Sequence, residues 1–152
     1  MDVAGIFARE FPTIDRHAQL GIAQGRIVSV SFPGTPEDGA ESDHELLDRI
    51  GAYLEGVEEG FTDVTVAFVV STDRREVLET VRGIPYGTQA GIETVASMTA
   101  GLDPEDSNDR RLVREALRDN PAPLLVPDHR VRDGPSAAPA SVAQTFRSVE
   151  GL

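Results

Sequence analysis

Asn120-Pro121-Ala122-Pro123-Leu124-Leu125-Val126-Pro127-Asp128-His129-Arg130-Val131 is the stretch around which the chain is organised. The short apolar run Leu124 to Val126 reads as a strand that enters a corner bounded by prolines. The corner then presents an acid, an imidazole and a guanidinium in succession. Chemistry-bearing side chains are commonly set on such a turn, held in place by the scaffold beneath it.

Outward from this corner the pattern is mostly helical. Ser107 is expected to cap a helix that buries Leu112, Val113, Ala116 and Leu117, and Thr88 an earlier one carrying Ile92, Val95, Ala96 and Met98 and ended by Gly101. The linker Leu102 to Asp106 joins them, a helix-turn-helix pattern. Further back, Ser71 or Thr72 caps a helix with Val77, Leu78 and Val81 inward, closed by Gly83-Ile84-Pro85, and Val64 to Val70 is expected as a strand. Ser42 and Glu45 form a capping-box pair opening a helix striped by Leu46, Leu47, Ile50, Tyr53 and Leu54. Gln19 to Phe32 reads as two strands around Gln24-Gly25. Beyond the corner, Val142, Phe146 and Val149 stripe a last helix ending at Glu150-Gly151.

These elements predict an α+β protein. A small antiparallel-sheet lobe spans residues 1–71, and a helix-turn-helix, winged-helix-like lobe spans 72–152 and carries the corner.

The 152 residues carry 26 acids against 14 basic residues, all of them Arg, for a formal charge of −12. An acidic surface without lysine is the composition expected of a halophile's cytoplasmic protein. With no cysteine there is neither a disulfide framework nor a thiolate metal site. Met1-Asp2-Val3 opens no basic or apolar leader, and nothing later has the length of a membrane span, so a cytoplasmic protein with no membrane association is expected. Against the acidic background, residues 110 to 132 hold six Arg and only Glu115, Asp119 and Asp128 as acids. Arg110, Arg114 and Arg118 recur at four-residue steps with Arg111 beside them, a surface suited to a polyanion or, on the other reading, a solvated helix face laced to nearby acids.

Asn120-Pro121, the hydrophobic run and Pro127-Asp128-His129-Arg130-Val131 together resemble the active-site segment of the DNA alkyltransferases, the methylated-DNA–protein-cysteine methyltransferases. That family carries Pro-Cys-His-Arg-Val here. Tyr53-Leu54-Glu55-Gly56, Ile84-Pro85-Tyr86-Gly87 and the terminal Glu150-Gly151 extend the likeness over most of the chain. The resemblance implies a base pocket built from Asn120, Pro127, Asp128, His129, Arg130 and Glu150, with Glu150 orienting His129. It also implies that Arg111 enters the space of a flipped nucleotide, with Arg110 and Arg114 on phosphates and Ala116 as a small groove-side residue. The cysteine position holds Asp128, and a carboxylate is a far weaker nucleophile than a thiolate towards an alkyl ether.

Other departures accompany that one. Leu112 and Arg114 replace small residues of the family's helix, Ile92 stands where the family has a groove tyrosine, and Gly134 to Pro139 replaces a glycine-rich loop. Three functions compete on this reading. The first is non-catalytic binding of DNA with an alkylated guanine or other flipped base, in concert with excision-repair proteins and without any cofactor; base extrusion needs no nucleophile. The second is new chemistry by Asp128, His129 and Glu150, as a hydrolytic pair or a metal site. The third is an interaction module that no longer binds DNA.

Overall fold

A computed structural model describes residues 4–152; Met1, Asp2 and Val3, on which the leader expectation rests, lie outside the described residues. Three strands form an antiparallel sheet in the order β1 (Gly5–Phe11), β2 (Arg16–Ala23), β3 (Arg26–Ser31). Five α-helices follow among the described residues: α1 (Glu45–Leu54), α2 (Thr72–Arg82), α3 (Ile92–Met98), α4 (Ser107–Arg118) and α5 (Ala140–Glu150). The class is α+β, as the sequence predicts.

The β2–β3 hairpin turns on Gln24 and Gly25, with φ of 53° and 72°. Two successive left-handed residues give a turn whose twist matches that of the strands. β1 adds to β2 in register from Gly5 opposite Ile22 to Phe11 opposite Arg16, a strand that the sequence pattern did not announce. Ala18 and Leu20 alternate inward along β2, and Ile27 and Val30 of β3, three apart across a register shift opposite Gly21 and Ile22, are both buried. They meet Leu47, Ile50 and Tyr53 of α1 and Val142, Ala143 and Phe146 of α5 in one hydrophobic cluster that also takes in α2, α3 and α4. Each large side chain so buried contributes roughly 1.5–3 kcal/mol.

Several local expectations are corrected. Val64 to Val70 forms no strand: Val66 makes an isolated bridge with Ile27, and the chain then leaves the sheet, with Val69 89% exposed. Leu124 to Val126 is a tight turn, because Pro121, Pro123 and Pro127 have no amide proton to give a ladder and the Val126 amide instead donates back to the Ala122 carbonyl at 2.8 Å. The turn forces Leu124 to a φ of 81°.

Helix starts differ too. α1 is capped by His44, whose Nδ1 accepts from the Leu46 amide, in place of the Ser42–Glu45 pair. α4 is capped by Asp106, whose carboxylate accepts from the amides of Asn108 and Asp109, one residue before Ser107. Thr88 does not cap α3, which begins after Gly91 and takes its side-chain cap from Asp133: the Ile92 amide donates to Asp133 Oδ1 at 2.8 Å. A backbone bridge between Ala90 and Val131 fastens the same two segments. At the far end α5 stops on Gly151, whose φ of 78° a side chain would strain, and Glu150 therefore sits in the last helical turn.

Candidate functional site

The corner is a 3-10 turn, Asp128–Arg130, entered through Pro127 and packed against the end of α5. All three of its residues are buried, with Asp128 at 1%, His129 at 0% and Arg130 at 3% exposure. Glu150 is the acid that compensates this concentration of polar groups. Its Oε1 accepts from Arg130 Nε at 2.7 Å and from the Gly87 amide at 3.0 Å. Its Oε2 accepts from Arg130 Nη2 at 3.1 Å, from His129 Nε2 at 2.5 Å and from the Tyr53 hydroxyl at 2.5 Å. Arg130 Nη1 donates in addition to the Ile84 carbonyl.

Burial alone would raise the Glu150 carboxyl, but the bonds from His129, Arg130, Tyr53 and the Gly87 amide outweigh it and hold it at about 2. Burial and the bond to Glu150 push the Tyr53 hydroxyl far up, so it remains a donor. Because a carboxylate only accepts, His129 carries its proton on Nε2, and its buried Nδ1 is left without a partner.

Asp128 faces a different set of groups. Asn120 Nδ2 donates to Oδ2 at 3.0 Å, the Ala137 amide to Oδ2 at 2.9 Å and the Ser136 hydroxyl to Oδ1 at 2.5 Å. Asn120 is itself fixed, donating to the Val126 carbonyl and accepting from the Ala122 amide. Burial raises the Asp128 carboxyl, and its bonds from Ser136, Ala137 and Asn120 offset only part of that rise. Asp128 and His129, neighbours in sequence, are thus bonded to different partners. The oxygens that a metal would need from Asp128 and Glu150 are engaged by internal donors, which removes support from the metal and hydrolytic readings.

The arginines of α4 separate into two groups. Arg110 is half-buried and donates to the Pro104 carbonyl at 2.9 Å, whereas Arg111, Arg114 and Arg118 are exposed along one stripe of the helix. The acids nearest the stripe point elsewhere: Glu115 of α4 and Asp119, just past its end, receive Arg74 of α2 at 3.3 and 3.0 Å. No ion pair to Arg111, Arg114 or Arg118 forms among the described residues. Ala116, 2% exposed, and Ile92, 1% exposed, lie in the core and not on this outer face.

The corner therefore gathers Asn120, Pro127, Asp128, His129, Arg130 and Glu150, while Arg111 and Arg114 stand apart on the surface. Sequence reasoning placed Ser136 and Ala137 only within the loop Gly134 to Pro139 and gave neither a bond to Asp128. It also placed Tyr53 only as a core and motif residue; a buried tyrosine needs a hydroxyl partner, and that was the signal available.

Comparisons with known proteins bear on the family and the fold. Residues 73–138 match the family described as 6-O-methylguanine DNA methyltransferase, DNA binding domain. A methylated-DNA–protein-cysteine methyltransferase of Methanopyrus kandleri is 36% identical over 108 residues, which is 69% of this chain and 77% of that protein. Among solved structures, a variant of the Mycobacterium tuberculosis O6-methylguanine methyltransferase superposes with a TM-score of 0.73 at 19% identity, covering 98% of this chain and 92% of the other. Mycobacterium tuberculosis OGT in complex with DNA gives 0.67 at 21% identity, covering 83% and 77%. Among the described residues no helix is long and apolar enough to cross a membrane.

Proposed function

This chain belongs to the methylated-DNA–protein-cysteine methyltransferase family, and from that premise we propose that it is a DNA-binding member that transfers no alkyl group. One observation carries the reading. The chain has no cysteine to accept an alkyl group, and the residue at the family's acceptor position, Asp128, is a buried carboxylate whose oxygens are already bonded. Alkyl transfer to Asp128 would need a free, approachable oxygen, and methylating it would break the contacts that compensate its burial.

The exposed stripe of Arg111, Arg114 and Arg118 supports the binding half. Three unpaired guanidinium groups on one helix face, in a chain of net charge −12, suit a duplex backbone, with Arg111 as the side chain directed into the groove. Arg110 is a weaker phosphate contact than Arg114, since part of its donor capacity goes to Pro104. The family resemblance also implies an alkylated or flipped base, met in concert with excision-repair proteins, at Asn120, Pro127, Asp128, His129, Arg130 and Glu150; with the polar side chains there buried and bonded to one another, the ligand proposed here is the duplex itself. On this reading residues 1–71 support the lobe 72–152 that meets DNA, in the cytoplasm; the start of the family match at residue 73 supports that division.

The test is titration of the full chain against duplexes with one O6-methylguanine or plain guanine, across a salt series, with mass measurement of the protein afterwards. Binding with no mass gain is the expected result. A methyl group found on the polypeptide overturns it. A second reading, an interaction module without DNA binding, is favoured by one feature: Leu112 and Arg114 widen the face of α4 where the family has small residues, and Glu115 next to them is tied to Arg74. Arg111→Ala separates the two, because it weakens DNA affinity only under the first.

A further inference from the structure

We propose that residues 134–138 are latched over Asp128, so that this protein engages duplex DNA without admitting an extruded base. The inference rests on the DNA-binding reading and specifies which part of the nucleic acid is recognised. Two consecutive loop residues hold the acid: Ser136 through its hydroxyl and Ala137 through its amide, while Ser136 Oγ accepts in turn from the Ala138 amide at 3.1 Å. Asn120 closes the remaining side. A carboxylate has about four acceptor positions, and three are filled from within the chain.

The base of the loop is also fixed by packing. A Cβ on Gly134 would lie 2.7 Å from Leu117 Cδ1 of α4 and 3.2 Å from Val131 Cγ1, so the backbone is pressed between the helix and the corner. Pro135 and Pro139 restrict the chain on both sides of Ser136, and Ala138 is buried in the core. A planar base entering at Asp128 would have to displace the Ser136 and Ala137 donors from a buried carboxylate. Each such charge-assisted bond disfavours the open form by roughly tenfold or more. A thiol at this position would offer only a weak acceptor and could not hold the loop in the same way.

Three measurements on the full chain decide the matter. Fluorescence anisotropy reports binding of a duplex, 2-aminopurine placed within it reports extrusion of a base, and amide exchange at Ala137 reports the latch without DNA. The wild-type protein is expected to bind with no rise in 2-aminopurine fluorescence and with affinities for alkylated and plain guanine equal to within about twofold. Its Ala137 amide is expected to be protected. In Asp128→Ala and, should that variant fail to fold, in Ser136→Ala, exchange at Ala137 accelerates by about tenfold or more while Val113 in α4 stays protected, and extrusion becomes detectable.

A rise in 2-aminopurine fluorescence with the wild-type protein overturns the inference. Fast Ala137 exchange in the wild type, or unchanged exchange in both variants, overturns it as well. Absence of binding to every duplex overturns the DNA reading and the statement about the base with it, and the exchange comparison then still shows whether Asp128 holds the loop.

Discussion

Two clusters of charge in the carboxy-terminal half of the chain follow opposite rules. In the corner each carboxylate is buried and bonded: Glu150 accepts from Arg130 and from His129 Nε2, and Asp128 from Asn120, Ser136 and Ala137. On α4 three arginines stand in solvent without an acid, although the chain is rich in acids. A cluster of the first kind fixes structure, since removing one member leaves a buried charge uncompensated. A cluster of the second kind adds little to folding and is available to a partner.

Glu150→Gln should produce the largest effect. It leaves Arg130 buried without its acid and is expected to lower stability by about 3–5 kcal/mol, read from chemical denaturation. A loss under 1 kcal/mol would mean that the corner is not held by charge. Arg111→Ala is expected to weaken duplex binding by about tenfold or more while changing stability by less than about 0.5 kcal/mol, so that anisotropy responds to the helix cluster and denaturation to the corner. If it unfolds the protein as Glu150→Gln does, the distinction between the clusters collapses.

Acid titration sharpens the comparison within the corner. The Glu150 carboxyl is held at about 2, below its ordinary value of 4.5, so its contribution is present above the unfolded value and is lost as pH falls from there through about 2. Asp128 is raised above 3.8, so ionisation there opposes folding, and its share of stability increases as pH falls from the raised folded value towards 3.8. Asp128→Asn should remove that increase and leave the Glu150 decline in place, which denaturation midpoints at successive pH values will show. An unaltered profile in the variant would mean that Asp128 does not titrate with folding. The smallest effect is expected from Arg74→Ala, which frees Glu115 and Asp119 from partly exposed pairs: below about 1 kcal/mol by denaturation, with weaker DNA binding from the unmasked acids beside the arginine stripe.

Much of this was legible from residue types, and the unread part has physical reasons. The hairpin was announced by Gln24-Gly25 and its apolar flanks, and α1, α2, α4 and α5 by their stripes. The corner was recognisable because an acid, an imidazole and a guanidinium follow Pro127. Its conformation was misread, since an apolar run says nothing of the amide protons that three prolines remove. Caps at His44 and Asp106 displaced those expected at Ser42 and Ser107 because several polar residues precede each helix and geometry chooses among them. β1 escaped notice because its inward residues are interrupted by Arg9 and Glu10. Ser136 and Ala137 contribute through a hydroxyl and a backbone amide, for which composition has no signature.

Asp133 reaches back 41 positions to supply the first turn of α3. A fragment ending at Leu117 contains the residues of α2 and most of α4, yet the Ile92 amide at the start of α3 then has only water as its acceptor. Fragments cut before Asp133 should accordingly show α3 frayed at its amino end.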